Sequence, residues 1–174
     1  TGADENPLSE GGNWPANIDT DHSDLQRLSN QAAGTAAASN SMYWNATFGP
    51  NTEAYVTVPT LPANTNKAVV VGVRLADAGT ATPDGYVGVF LNGVTDLLQY
   101  QRLDDGVGTA LGANDTITFA ADDVVGIQMV GSTIPGSMKP SSKSFFSRAN
   151  VAVSTVRSGG FGFAGFILSL RTER

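Results

Sequence analysis

The sequence contains no cysteine and a single histidine, His22. Without thiols there is no disulfide framework, no thiolate nucleophile and no cysteine-based zinc site, so stability has to come from a packed core. One histidine also leaves no set of partners for a His-based zinc site or a serine triad of the usual composition within one chain. Charged residues make up only 15% of the chain, against about a quarter in a typical domain. The surface is therefore built largely from Ser, Thr, Asn, Gln and Gly. No apolar run approaches the roughly 18 residues of a membrane span, and the opening TGADENPLSEGG lacks the basic-then-apolar layout of a signal peptide.

Basic residues are scarce where acids gather. Residues 1–60 carry seven acids and one base, Arg27, whereas 139–174 carry six bases and one acid, Glu173. The net charge of -6 argues against a nucleic-acid partner, because affinity for phosphate backbones rests on clustered Lys and Arg. The uneven distribution suits attraction between the two ends of the chain or between copies in a homo-oligomer.

What is present is a series of short segments alternating with period two, the spacing that sends successive side chains to opposite faces of a sheet. KAVVVGVRLA (67–76) sets Val69, Val71, Val73 and Leu75 on one face. The series continues at 85–92, 96–103, 115–120, 123–130, 150–157 and 162–171. Each segment is rich in Val, Ile, Thr or aromatics and bounded by turn residues. Two further strands are expected at 41–48 and 53–58, with Met42, Trp44 and Phe48 inward and Tyr43 outward; in EAYVTV, Val56 faces inward and Tyr55 outward. If these two are hairpin neighbours, Trp44 opposes Val58. The expected core is Met42, Trp44, Phe48, Val56, Val71, Val73, Ile127 and Ile167. No segment keeps a helical stripe over three turns, so the fold class is all-β: an antiparallel β-sandwich of jelly-roll type, one domain over 1–174. Two long connections, 76–85 and 131–150, are where a sandwich carries its binding functions.

The stretches DENPLSEGGNW, YWNATFGPNTEAYVTV, VVVGVRLA and DDVVGIQMVGSTI, taken in that order, resemble the concanavalin-A-like, laminin-G-like jelly-roll domains of bacterial and phage surface proteins. The resemblance implies two antiparallel sheets with the terminal strands close together. Glucanases of this broad superfamily carry a Glu-x-Asp-x-x-Glu strand motif, and this chain has no match to it. The adjacent acids Asp104-Asp105 and Asp122-Asp123 read as turn residues, and no strand offers the carboxylates about 5 Å apart that a retaining glycosidase needs.

Three groups of candidate site residues remain. Tyr43, Tyr55, Tyr86 and Tyr100 offer aromatic faces to a glycan. Lys139, Lys143 and Arg148 in the serine-rich 131–150 connection form a partner-binding loop. Asp19, Asp21 and Asp24 concentrate hard oxygen ligands for calcium, although the helix-loop-helix calcium pattern, with Gly at its sixth position and Glu at its twelfth, is broken by Asp24 and Asn30. No other cofactor is expected. The function expected from the residues and the resemblance together is non-catalytic: a structural and binding sandwich at a virion surface or in the extracellular space, docked onto other virion or surface-assembly proteins, as a phage capsid decoration or a tail or fibre adhesion component. The alternative is a carbohydrate-binding module of a secreted glycan-degrading protein.

Overall fold

The computed structural model describes residues 3–9, 11–15, 20–35, 39–46, 48, 51–61, 67–129, 152–154 and 170–171. Among them there is no helix, and therefore none long and apolar enough to cross a membrane. The strands are β1 (Leu25–Leu28), β2 (Gln31–Gly34), β3 (Thr52–Val58), β4 (Lys67–Ala76), β5 (Asp84–Asn92), β6 (Leu97–Asp104), β7 (Val107–Ala110), β8 (Asp115–Thr116), β9 (Asp123–Met129), β10 (Ala152–Ser154) and β11 (Leu170–Arg171). The protein is all-β over these residues, in two sheets.

One sheet runs β1-β2-β10-β3-β11, with β9 also pairing β3; the other runs β4-β5-β6-β7, with β8 also on β6. Pairing is antiparallel except where β10 lies parallel to β2 and β3. The strands expected at 53–58, 67–76, 85–92, 96–103 and 123–130 are present to within a residue or so at each end. Of the segments expected at 150–157 and 162–171, only β10 and β11 fall among the described residues, and Ile167 lies outside them.

The main hydrophobic core draws on both sheets. Leu25 and Ala32, Ala54, Val56 and Val58, and Val125, Ile127 and Met129 come from the first; Val69, Val71, Val73, Phe90 and Leu98 come from the second. Loop residues Leu8, Trp14, Met42 and Phe119 join them. The alternation in β4 explains its share, but β4 is buried on both faces. Ala68 and Val70 form a second cluster with Val87 and Leu103 on the far side of the same sheet. Leu75 packs with that second cluster rather than with Val69, Val71 and Val73. The cause is a register shift between Val73 and Ala76, where Arg74 takes a positive φ of 52° and turns the strand over by one side chain.

Residues 41–46 and 48 are not strand, which corrects the expectation for 41–48 and with it the expected hairpin partner of Val58. Their main-chain bonds go elsewhere: the N–H of Ser41 donates to Ser23 O at 2.9 Å, and that of Asn45 to Asn13 O at 2.9 Å. β3 pairs instead with β9, setting Val58 opposite Asp123. Met42 is buried as expected, while Trp44 and Phe48 are only half-buried. The more deeply buried tryptophan is Trp14, whose ring meets that of Trp44 edge-on at 5.1 Å and 83°.

The segment expected as a strand over 115–120 keeps only β8, because Asp96 captures the chain beyond Thr116. Its main-chain carbonyl accepts the N–H of Ile117 at 3.0 Å, and its carboxylate accepts those of Phe119 at 2.9 Å and Gly93 at 3.2 Å. One side chain thus ties the β5–β6 turn to the chain leaving β8. Asp96→Ala is expected to cost about 1–3 kcal/mol by stranding the N–H groups of Phe119 and Gly93, with Asp96→Asn costing less because one acceptor oxygen survives. Urea unfolding of the two variants beside the parent measures the difference.

Candidate functional site

Strand register decides which candidate residues meet. In the second sheet Val73 pairs Tyr86, Tyr86 pairs Arg102 and Arg102 pairs Thr109, so this row shares one face. The next row on that face is Val71, Gly88 and Tyr100. Val71 and Val73 are core residues, so Tyr86 and Tyr100 point to the core side, where both pack half-buried at its margin. Beyond them the same face emerges into solvent. Arg102, Asp104, Val107, Thr109 and Leu111 are exposed, and the N–H of Leu111 donates to Tyr100 O at 2.8 Å. The sheet therefore carries a shelf that begins as core and ends as surface.

The shelf has a tyrosine margin and a charged centre. Gly88 sits between the rings: a Cβ there would lie 3.2 Å from Phe90 and 3.5 Å from Tyr100, so the missing side chain makes room for both aromatics. Arg102 and Asp104, two apart on β6, form an ion pair at 2.8 Å with side chains 51% and 65% exposed. At that exposure the pair adds little stability. It instead presents a planar donor set and an acceptor side by side next to Tyr100, an arrangement suited to polar recognition.

Turn chemistry holds the shelf's outer rim. Asp105 and Gly106 both take positive φ, 50° and 78°, as a two-residue type I′ hairpin requires. This Asp-Gly turn makes β7, a strand outside the expected series. It is fastened to the end of the long 77–83 connection and to the start of β5: the N–H of Gly106 donates to Pro83 O at 3.0 Å and that of Asp105 to the Asp84 carboxylate at 2.8 Å. The 76–85 connection is thus a brace for the β6–β7 hairpin.

The other tyrosines lie apart from this pair. Tyr43 packs on the 77–83 connection, its ring within 3.3 Å of the place a Cβ would occupy on Gly79. Tyr55 lies, as expected, on the face of β3 opposite Ala54 and Val56, but it is buried there rather than exposed. It faces Gly126 across the strand pair, whose missing side chain leaves room for the Tyr55 Cβ and the β3 main chain. The four tyrosines do not form one platform; Tyr86 and Tyr100 alone share a face. Lys139, Lys143 and Arg148 lie outside the described residues, as does Asp19. Asp21 is exposed, and Asp24 uses its main-chain oxygen to hold Thr35 through N–H at 3.2 Å and Oγ1 at 2.8 Å. Among the described residues no three His, Asp or Glu side chains come together in a way that would hold a metal ion. No protein-family model, curated protein or solved structure matches the chain.

Proposed function

We propose that the chain is a non-catalytic β-sandwich of the jelly-roll type that binds a partner surface within a larger surface assembly. The phage virion is the assembly that the resemblance to concanavalin-A-like domains suggests. The observation that carries this reading is the shelf itself: a sheet face that leaves the core with Tyr86 and Tyr100 and continues into solvent with Arg102, Val107 and Leu111. Tyrosine and arginine dominate the energetics of protein interfaces, and exposed apolar side chains around them exclude water on docking. Arg102 is paired with Asp104, so the shelf offers a planar donor set and an acceptor side by side to a polar partner.

A second reading rests on one specific feature of the same face. Tyr86 and Tyr100 are diagonal neighbours beside a charged pair, and stacking plus directed hydrogen bonds is how sugars are held, so glycan recognition suits the same shelf. Two measurements separate the readings. The purified chain is expected to co-sediment with intact particles of its source, and Arg102→Ala is expected to weaken that association about tenfold with unchanged unfolding. On a glycan array it is expected to be silent. Array binding lost in Tyr100→Ala would favour the carbohydrate-binding module, and release of reducing sugar from polysaccharides would overturn both readings.

A further inference from the structure

The structure assigns the outer edge of β7 as a self-association site, at which a second copy of the chain pairs β7 to β7 antiparallel about a twofold axis through Thr109. This inference goes beyond the proposed role and does not depend on it.

The edge is open. β7 ends its sheet among the described strands, and all four of its residues are exposed. The phase of its hydrogen bonding is set by the Leu111 N–H on Tyr100 O and the pairs Arg102–Thr109 and Asp104–Val107. In an antiparallel ladder alternate residues bond alternate neighbours. Val107, Thr109 and Leu111 therefore direct their main-chain groups to β6, and Gly108 and Ala110 direct theirs away from the sheet.

The occupant is set by charge and by register. Natural edge strands are usually guarded by lysine, proline or inward-pointing charge; from Gly106 to Asn114 this edge has no ionisable group and no proline. In a chain of net charge -6, this is a stretch where two identical copies meet without like-charge repulsion. Centring the pair on Thr109 sets Gly108 against Ala110 of the copy, and the two residues that point outward exchange both their bonds. The same register sets Thr109 against itself, a favourable cross-strand pair. It also sets Val107, 66% exposed, against Leu111 of the copy, 43% exposed, and so covers both apolar side chains on the shelf side. Sliding the copy to centre on Gly108 would instead oppose Leu111 to Asp105, and centring on Ala110 would oppose Val107 to Ala113, beyond the end of β7. Only the Thr109 register satisfies the backbone and the side chains together. It also joins the two five-stranded sheets into one and places two shelves on the same side.

The test uses the full chain and the absence of native cysteine. Thr109 occupies a non-hydrogen-bonded position at the axis, where opposed Cα atoms lie about 4.5 Å apart, within disulfide range. Thr109→Cys is expected to form a covalent dimer under mild oxidation, and Val94→Cys, a 95% exposed control in the β5–β6 turn, is not. Sedimentation velocity over a concentration series is expected to show reversible dimerisation of the parent, weakened about tenfold by Thr109→Lys, which opposes two ammonium groups. Circular dichroism verifies that Thr109→Lys keeps its fold. A parent chain that stays monomeric throughout, or equal cross-linking of the two cysteine variants, overturns the inference.

Discussion

Trp14→Ala is expected to lower the unfolding free energy by about 3–5 kcal/mol, the usual range for emptying a buried tryptophan site, and Trp44→Ala by clearly less. Trp14 is only 5% exposed and belongs to the core, whereas Trp44 is half-buried and packs against it. The surroundings of Trp14 have little freedom to collapse into the space, because its own main-chain N–H is held on Ser9 O at 3.1 Å and the chain at Leu8 is tied to Leu25 O at 2.7 Å. The edge-on contact between the rings adds a coupling of about 0.5–1.5 kcal/mol. The double variant is therefore expected to lose less than the sum of the single losses. Chemical denaturation of the four proteins completes the cycle. Equal losses at the two positions would contradict this ranking, and a larger loss at Trp44 would mean that Trp44 is the structural residue and Trp14 covers it.

The contrast between the tryptophans marks where the sequence is legible and where it is not. Strands β3, β4, β5 and β9 are rich in Val, Ile, Tyr and Phe, and β6 alternates Leu98, Tyr100 and Arg102 against Leu97, Gln99, Gln101 and Leu103, so their pattern carries both the strand and much of its burial. The hairpin β1–β2 is hidden, because LQRL and QAAG hold no β-branched residue and its turn uses Ser29 and Asn30 in the positive-φ region rather than Asn-Gly. Conversely, 41–48 alternates like a strand, yet its main chain is bonded to the N-terminal loop, a long-range choice that no local pattern encodes. β7 has a legible signal in Asp105-Gly106, but VGTA is too short and bland to announce itself.

For the candidate site, face assignment is the limiting step. In GYVGVFLN both alternating sets are apolar enough to be buried, Val87 and Val89 on one side and Tyr86 and Phe90 on the other. The side that meets the core is decided by the partner strands. The register of β4 against β5 resolves it, placing Tyr86 beside Val73 and Phe90 beside Val69. Leu75 fails the same test in reverse: a correct period is broken by one positive-φ residue, Arg74, whose identity carries no bulge signal. Residue types thus indicate that Tyr86 and Tyr100 belong on a sheet, and topology alone shows that they open onto a shelf with Arg102 and Leu111.

Topology also makes one glycine a demanding position. Gly126→Ala is expected to cost on the order of 3 kcal/mol, near the upper end of ordinary overpacking, although alanine is otherwise the smallest possible change. Gly126 stands opposite Tyr55 in the β3–β9 pair. A Cβ built there would lie 2.5 Å from Ala54 O, 2.8 Å from Tyr55 Cβ and 3.0 Å from Tyr55 Cα. Two of these three atoms are main chain of β3, a strand paired with β9, β10 and β11, so relief requires separating the strands. That movement would also disturb Ala54 and Val56, which are core residues facing Ile127 and Val125. Trimming the neighbour discriminates the cause. If the main chain is the obstacle, Tyr55→Ala in the Gly126→Ala background recovers little stability, because the Ala54 carbonyl remains in place. Recovery of most of the loss would mean that only the tyrosine side chain was in the way. Thermal unfolding of Gly126→Ala, Tyr55→Ala and the double variant measures this, and a Gly126→Ala protein as stable as the parent would contradict the close pairing of β3 with β9 itself.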